Sequence, residues 1–144
     1  MEGIDGASSL TAIFGRWPTF HDAAVLRFQL SRGGPDEVGP SIEADVHVFE
    51  MTPEVAPSGH YVLRHHTLVT LRFGGMESLE LAGFNNQNAL MRLDIEDIRG
   101  QQLEGLNYRV SFDPAFGLSA GFLCRTIKVL GARPWDPASR QLAV

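Results

Sequence analysis

Apolar residues recur at every second position over most of this chain, which is the spacing of half-buried β-strands. Leu26, Phe28 and Leu30 alternate with Arg27 and Gln29, and Gly33-Gly34-Pro35 closes that strand. Ile42, Ala44, Val46 and Val48 alternate with Glu43, Asp45 and His47, the clearest run of this kind. Residues 51–60 hold Pro53, Pro57 and Gly59 and read as a loop. Val69, Leu71 and Phe73 alternate with Thr70 and Arg72, and Gly74-Gly75 then predicts a hairpin turn into Leu79 and Leu81. Residues 85–90 read as one helical turn. A strand follows over 93–98, where the Ile95 to Ile98 spacing predicts a bulge. Leu106, Tyr108, Val110 and Phe112 give another strand, and the last apolar stretch, 118–133, is bent near Arg125.

One segment departs from the two-residue period. Residues 7–16 read as a short helix, with Ser8 or Ser9 as cap, Leu10, Ile13 and Phe14 as its apolar stripe, and Gly15 as its stop. About eight short strands and no long amphipathic crossover helix argue for a mostly β chain, α+β at most. The expected architecture is an antiparallel β-sandwich or a strongly curved sheet. The expected organisation is a single domain over 1–144, with a β-rich core at 23–133 and a loose tail at 134–144.

Composition narrows the functional classes. Hydrophobic residues make up 44% of 144, enough for one sizeable core, so disorder is not expected. No apolar run reaches the roughly 18–20 residues of a membrane span. Residues 1–10 carry Glu2 and Asp5, no basic residue and no apolar core, so no secretory signal is read there. Cys124 is the only cysteine, which excludes an internal disulfide. These features point to a cytoplasmic protein. The net charge of −5 is modest, but residues 33–63 contain no Lys or Arg and six carboxylates. Nucleic-acid binding requires the opposite sign, so no nucleic-acid partner is expected.

Three constellations invite a catalytic reading, and none survives its context. His21-Asp22 suggests a metal pair, but neighbours on an extended chain point to opposite sides, and the remaining histidines have no ligand spacing. Gly117-Leu118-Ser119-Ala120-Gly121 fits the nucleophile-elbow spacing, yet a strand follows it and every histidine lies upstream. Cys124 sits in an apolar strand, the setting of an inert core thiol. No carboxylate pair has a burial signal that would separate acid from base. The chain is read as a non-enzyme with no metal and no cofactor.

The run Trp17-Pro-Thr-Phe-His-Asp-Ala-Ala-Val25 with Leu-Arg-Phe after it resembles the N-terminal signature of the immunity protein 50 family. Residues 68–73, 79–85, 116–119 and 122–125 extend the likeness over about 13–129. Ala24 stands where the family pattern has an acidic residue. The resemblance implies a bacterial protein that binds a cognate polymorphic toxin and keeps it harmless, and it brings no catalytic residues. A single lysine against eleven arginines agrees with a GC-rich bacterial genome.

Within that reading, the expected partner contacts are the strand acids Glu43 and Asp45 and the loop acids Glu50 and Glu54. Trp17, Pro18, Phe20, His21 and Asp22 are read as structural residues of the signature, Trp17, Phe20 and His21 packing the helix against the sheet and Asp22 bonding nearby backbone amides or His21. The alternative is a small-ligand or carbohydrate-binding β module, for which Phe49, Tyr61 and Trp135 are the exposed aromatics to consider.

Overall fold

A computed structural model describes residues 3–143. Strands account for 59% of the chain and form one open antiparallel sheet of nine. In chain order the elements are α1 (Ala7–Phe14), β1 (Ala24–Ser31), β2 (Ser41–Val55), β3 (Tyr61–Gly74), β4 (Glu77–Ala82), β5 (Ala89–Asp97), β6 (Tyr108–Phe116), β7 (Ser119–Cys124), β8 (Thr126–Asp136) and β9 (Gln141–Leu142), with one 3-10 turn at Arg99–Gln101. The sheet order is β4-β7-β6-β5-β1-β2-β3-β8-β9.

The sheet folds over, so that its two halves bury one face each against the other. Phe28 of β1 stands edge-on to Phe112 of β6, ring centres 5.4 Å apart. Phe73 of β3 meets Phe112 at 5.8 Å and Phe122 of β7 at 5.1 Å. Ile42, Ala44, Val46 and Val48, one side of β2, are all buried beneath them, as their alternation predicts. Each fully buried Leu, Ile or Phe of this core contributes roughly 1.5–3 kcal/mol.

Two places hold the halves together. At one, Gly74-Gly75 carries the chain out of β3 and Arg125 carries it from β7 into β8. The Arg125 amide donates to the Gly74 carbonyl (2.9 Å), and a Cβ on Gly75 would come within 2.7 Å of the Arg125 side chain. This corrects the hairpin expected at Gly74-Gly75. β3 and β4 do not pair with each other; β4 crosses to pair with β7. At the other, β1 and β5 share one register pair, Ala24 with Ala89. Buried Asn88 locks this junction. Its Oδ1 accepts from the amides of Asn85 and Leu118, both at 3.0 Å, and its Nδ2 donates to the carbonyls of Asn85 (2.8 Å) and Val25 (3.4 Å).

Several expectations need local correction. The helix begins after Gly6, whose left-handed backbone takes the N-cap position, and neither Ser8 nor Ser9 caps it; Gly15 ends it as expected. Residues 51–60 are not one loop. β2 runs to Val55 and β3 starts at Tyr61, joined by a turn closed from the Ala56 amide to the His60 carbonyl (2.8 Å). Cross-strand pairing tolerates Pro53 because the register is broken between Met51 and Val55. Residues 85–88 form a side-chain-bonded turn, not a helical one, because Asn85 and Asn88 bond the backbone locally. The register shifts of β5 fall between Ala89 and Arg92, not at Ile95–Ile98. Beyond Pro134, Trp135 and Asp136 pair with Leu142 and Gln141, where a loose tail was expected.

Candidate functional site

The outward side chains of β2 form a single row: Glu43, Asp45, His47 and Phe49, alternating with the buried ones. Register places Arg27 of β1 and Thr70 of β3 beside Asp45, and Arg72 beside Glu43. Arg27 Nε donates to Asp45 Oδ2 at 2.8 Å and its Nη2 lies 3.4 Å from Glu43 Oε2. Thr70 Oγ1 donates to Asp45 Oδ1 at 2.6 Å. Arg72 bridges Glu43 (3.3 Å) and Glu37 (2.9 Å). Burial pushes the Asp45 carboxyl up, but hydrogen bonds from Arg27 and Thr70 and the charges of Arg27 and Arg133 outweigh it, leaving the group below its ordinary range.

The four expected contact acids therefore have cationic or imidazole neighbours on adjacent strands. Glu43 and Asp45, with side chains 29% and 21% exposed, are held in the Arg27–Arg72 lattice. Glu50 and Glu54 lie on β2, not in a loop, 3.4 Å from His65 and 3.8 Å from Arg64. Lys128 and Arg133 of β8 stand on the same side. A segment without Lys or Arg is thus answered by cations from β1, β3 and β8, and this face is not net acidic. On the other half, Glu80, Asp94, Glu96 and Asp113 face outward against Arg92 and Arg109, so more of the negative charge lies there.

Further along the same row the surface becomes aromatic. His47 Nε2 and His66 Nδ1 are 2.9 Å apart, one ring donating and the other accepting. His47 also stacks within 6.0 Å of Trp135 and 5.6 Å of Phe49. Burial and the proximity of His66 push His47 down to about 4, so the pair is neutral at pH 7. Two recesses flank the cluster. One, about 430 Å³, is lined by Leu26, His47, Asn86, Gln87, Trp135 and Arg140 among others. The second, about 330 Å³, lies between Pro18, Thr19 and His21 on one side and Phe49, Glu50 and Met51 on the other.

The signature run is divided by its backbone. Phe20 and Asp22 both take left-handed conformations (φ 61° and 64°), a turn that sequence alternation does not reveal. Phe20 is buried against Trp17, while His21 and Asp22 emerge together with Nδ1 3.3 Å from Oδ2. Their convergence corrects the expectation that they point apart. No third His, Cys, Asp or Glu joins them into a metal-binding group among the described residues. Ser119 opens β7 with no histidine hydrogen-bonded to it among the described residues, and Gly117 is needed because a Cβ there would lie 2.5 Å from Asn88 Oδ1. Cys124 is fully buried, its thiol pushed up to about 12 by burial.

The aromatic cluster was missed because its members are spread over residues 47, 49, 66 and 135; only the β2–β3–β8 register brings them together. Tyr61, grouped with Phe49 and Trp135 from the sequence, lies at the far end of the hairpin opposite Val55. No helix among the described residues is long and apolar enough to cross a membrane.

No curated protein and no solved structure is significantly similar to the chain. The family model described as Immunity protein 50 matches residues 6–135, a span that takes in α1, the signature turn, β1 to β7 and β8 as far as Trp135. With nine-tenths of its length accounted for in this way, the chain belongs to the immunity protein 50 family.

Proposed function

We propose that this protein binds a cognate bacterial toxin in the producing cell and neutralises it by occlusion, without catalysis of its own. The family supports an immunity role. The observation that carries the choice of surface is the continuous outward row of β2. A lattice of charges held in place by cross-strand partners runs there into a half-buried aromatic cluster flanked by two recesses. Hot spots of protein interfaces are aromatic anchors in well-packed surroundings, ringed by polar groups that exclude water. Phe49 and Trp135 are the anchors in this reading, and Glu43, Asp45, Arg27 and Arg72 form the preordered rim, with Glu50 and Glu54 at its far end. Because the rim is already paired, it fixes orientation and partner choice more than it adds affinity.

The test is capture of the toxin domain encoded beside this chain by the purified protein, followed by an assay of the toxin's activity. A micromolar or tighter complex that silences the toxin supports the reading. A complex that leaves the toxin fully active removes occlusion from it.

The recess beside Trp135 favours a second reading, a small-ligand or carbohydrate site, since aromatic rings lie there next to the amides of Asn86 and Gln87. Trp fluorescence unmoved by millimolar saccharides would dismiss it.

A further inference from the structure

Sheet edges expose backbone donors and acceptors, and natural proteins blunt them with charge, proline, bulges or brevity. Most unpaired stretches of this sheet carry such devices. β4 has Glu77 and Glu80 and a register break with Ser78 in a left-handed conformation. β9 is two residues long. The free side of β5 carries Arg92, Asp94, Glu96 and Asp97, and the β2–β3 hairpin beyond His47 has Pro53 and two register breaks.

β1 differs. Its pairing with β5 ends at once, with the Val25 amide donating to the Asn88 carbonyl (2.8 Å) as the last backbone–backbone bond. A bulge at Leu26, between Val25 and Arg27, marks where the strand leaves β5, and from Arg27 to Ser31 it is paired with β2 on one side only, among the described residues. Leu26 and Leu30 are 46% and 48% exposed along this edge. Beyond that bulge it has no proline, lysine or further register break, and its one charge, Arg27, is tied to Asp45. No carboxylate occurs between residues 23 and 35, whereas Arg32 follows the strand and Arg140 lines the recess into which Leu26 opens. Neither arginine makes an ion pair among the described residues.

We propose that the free edge of β1, Leu26–Ser31, accepts an extended segment of the toxin as an added strand. An open strand edge presents backbone donors and acceptors at strand spacing, which an added strand matches and a side-chain patch does not. The segment that fits has apolar residues at alternate positions to cover Leu26 and Leu30, and carboxylates for Arg32 and Arg140. Laid there, it continues the sheet beside Arg27 and Gln29 and reaches the recess under Trp135. This inference rests on the toxin-binding reading and specifies how the partner is held.

The experiment is amide hydrogen exchange of the full chain, alone and with a catalytically disabled form of the cognate toxin domain. Exchange across residues 26–31 slows at least about tenfold in the complex, and Leu26→Lys/Leu30→Lys together weaken binding by at least about tenfold with an unchanged thermal midpoint. A complex that leaves exchange at 26–31 unaltered overturns the strand proposal and leaves toxin binding intact. Protection of the same amides that grows with protein concentration in the absence of toxin assigns the edge to a second copy and also overturns it. Failure to form any complex overturns both readings.

Discussion

His47 and His66, nineteen residues apart, face each other across β2 and β3 with Nε2 and Nδ1 separated by 2.9 Å. Two imidazoles at this distance share one hydrogen bond only while at least one of them is neutral. The folded state holds His47 down to about 4, through burial first and His66 second, whereas the unfolded chain protonates near 6.5. The unfolded state thus binds more protons below about pH 6.5, and stability from this group is complete above that value and falls as pH drops towards about 4. The thermal midpoint of the wild type should decline over this window more than that of His47→Gln. Parallel declines would show that the pair does not titrate as described.

Asp45 sits between Arg27 and Thr70, and its loss removes the acceptor of the Thr70 hydroxyl and the nearest partner of Arg27, which keeps Glu43 and Gln29. Asp45→Ala should cost about 1–3 kcal/mol in urea unfolding, the range for removing one partner of a hydrogen bond and leaving the other unsatisfied. Glu96→Gln, whose partner Arg109 is half exposed, should leave the midpoint nearly unchanged. Charge reversal at Glu43 and Asp45 should lower stability, since these acids are bound to arginines and are not a bare field. Equal effects of Asp45→Ala and Glu96→Gln would dismiss the lattice.

Asn88 serves four backbone groups at the β1–β5 junction. Asn88→Ala leaves amides without acceptors, one of them on fully buried Leu118, and should destabilise the fold by about 2–4 kcal/mol. Gly117→Ala should do comparable harm, because φ is +75° and the added Cβ meets Asn88 and the Gln87 carbonyl, each at 2.5 Å. A loss below about 0.5 kcal/mol in both, the usual span of surface changes, would show that the junction is held elsewhere.

Cys124 should be inert towards a thiol reagent in the native protein at pH 8 and react fully in denaturant. Burial, which pushes its thiol up to about 12, removes both access and thiolate. Rapid native labelling would place it outside the core.

The inner faces were legible in the sequence because period-two alternation records burial directly. Ile42 to Val48 and Val69 to Phe73 went where the pattern sent them. Pairing was not legible, since alternation says which side a residue faces and nothing about its neighbour across the sheet. Hence Gly74-Gly75 looked like a hairpin, and a stretch lacking Lys and Arg looked like a bare acidic stripe. Arg27 and Arg72 are remote in sequence and adjacent in register. The left-handed turn at Phe20 and Asp22 is hidden for another reason: a phenylalanine gives no local sign of positive φ, and an aspartate gives only a weak one.

In the proposed complex the toxin sits on the aromatic end of the β2 row. The decisive measurement is titration of the cognate toxin domain into wild type, Phe49→Ala and Trp135→Ala, with unfolding followed in parallel. Each substitution should raise Kd by about thirtyfold or more, the loss of a hot-spot anchor of about 2 kcal/mol, with the thermal midpoint nearly unchanged. Wild-type affinity in both variants would contradict the assignment of this face.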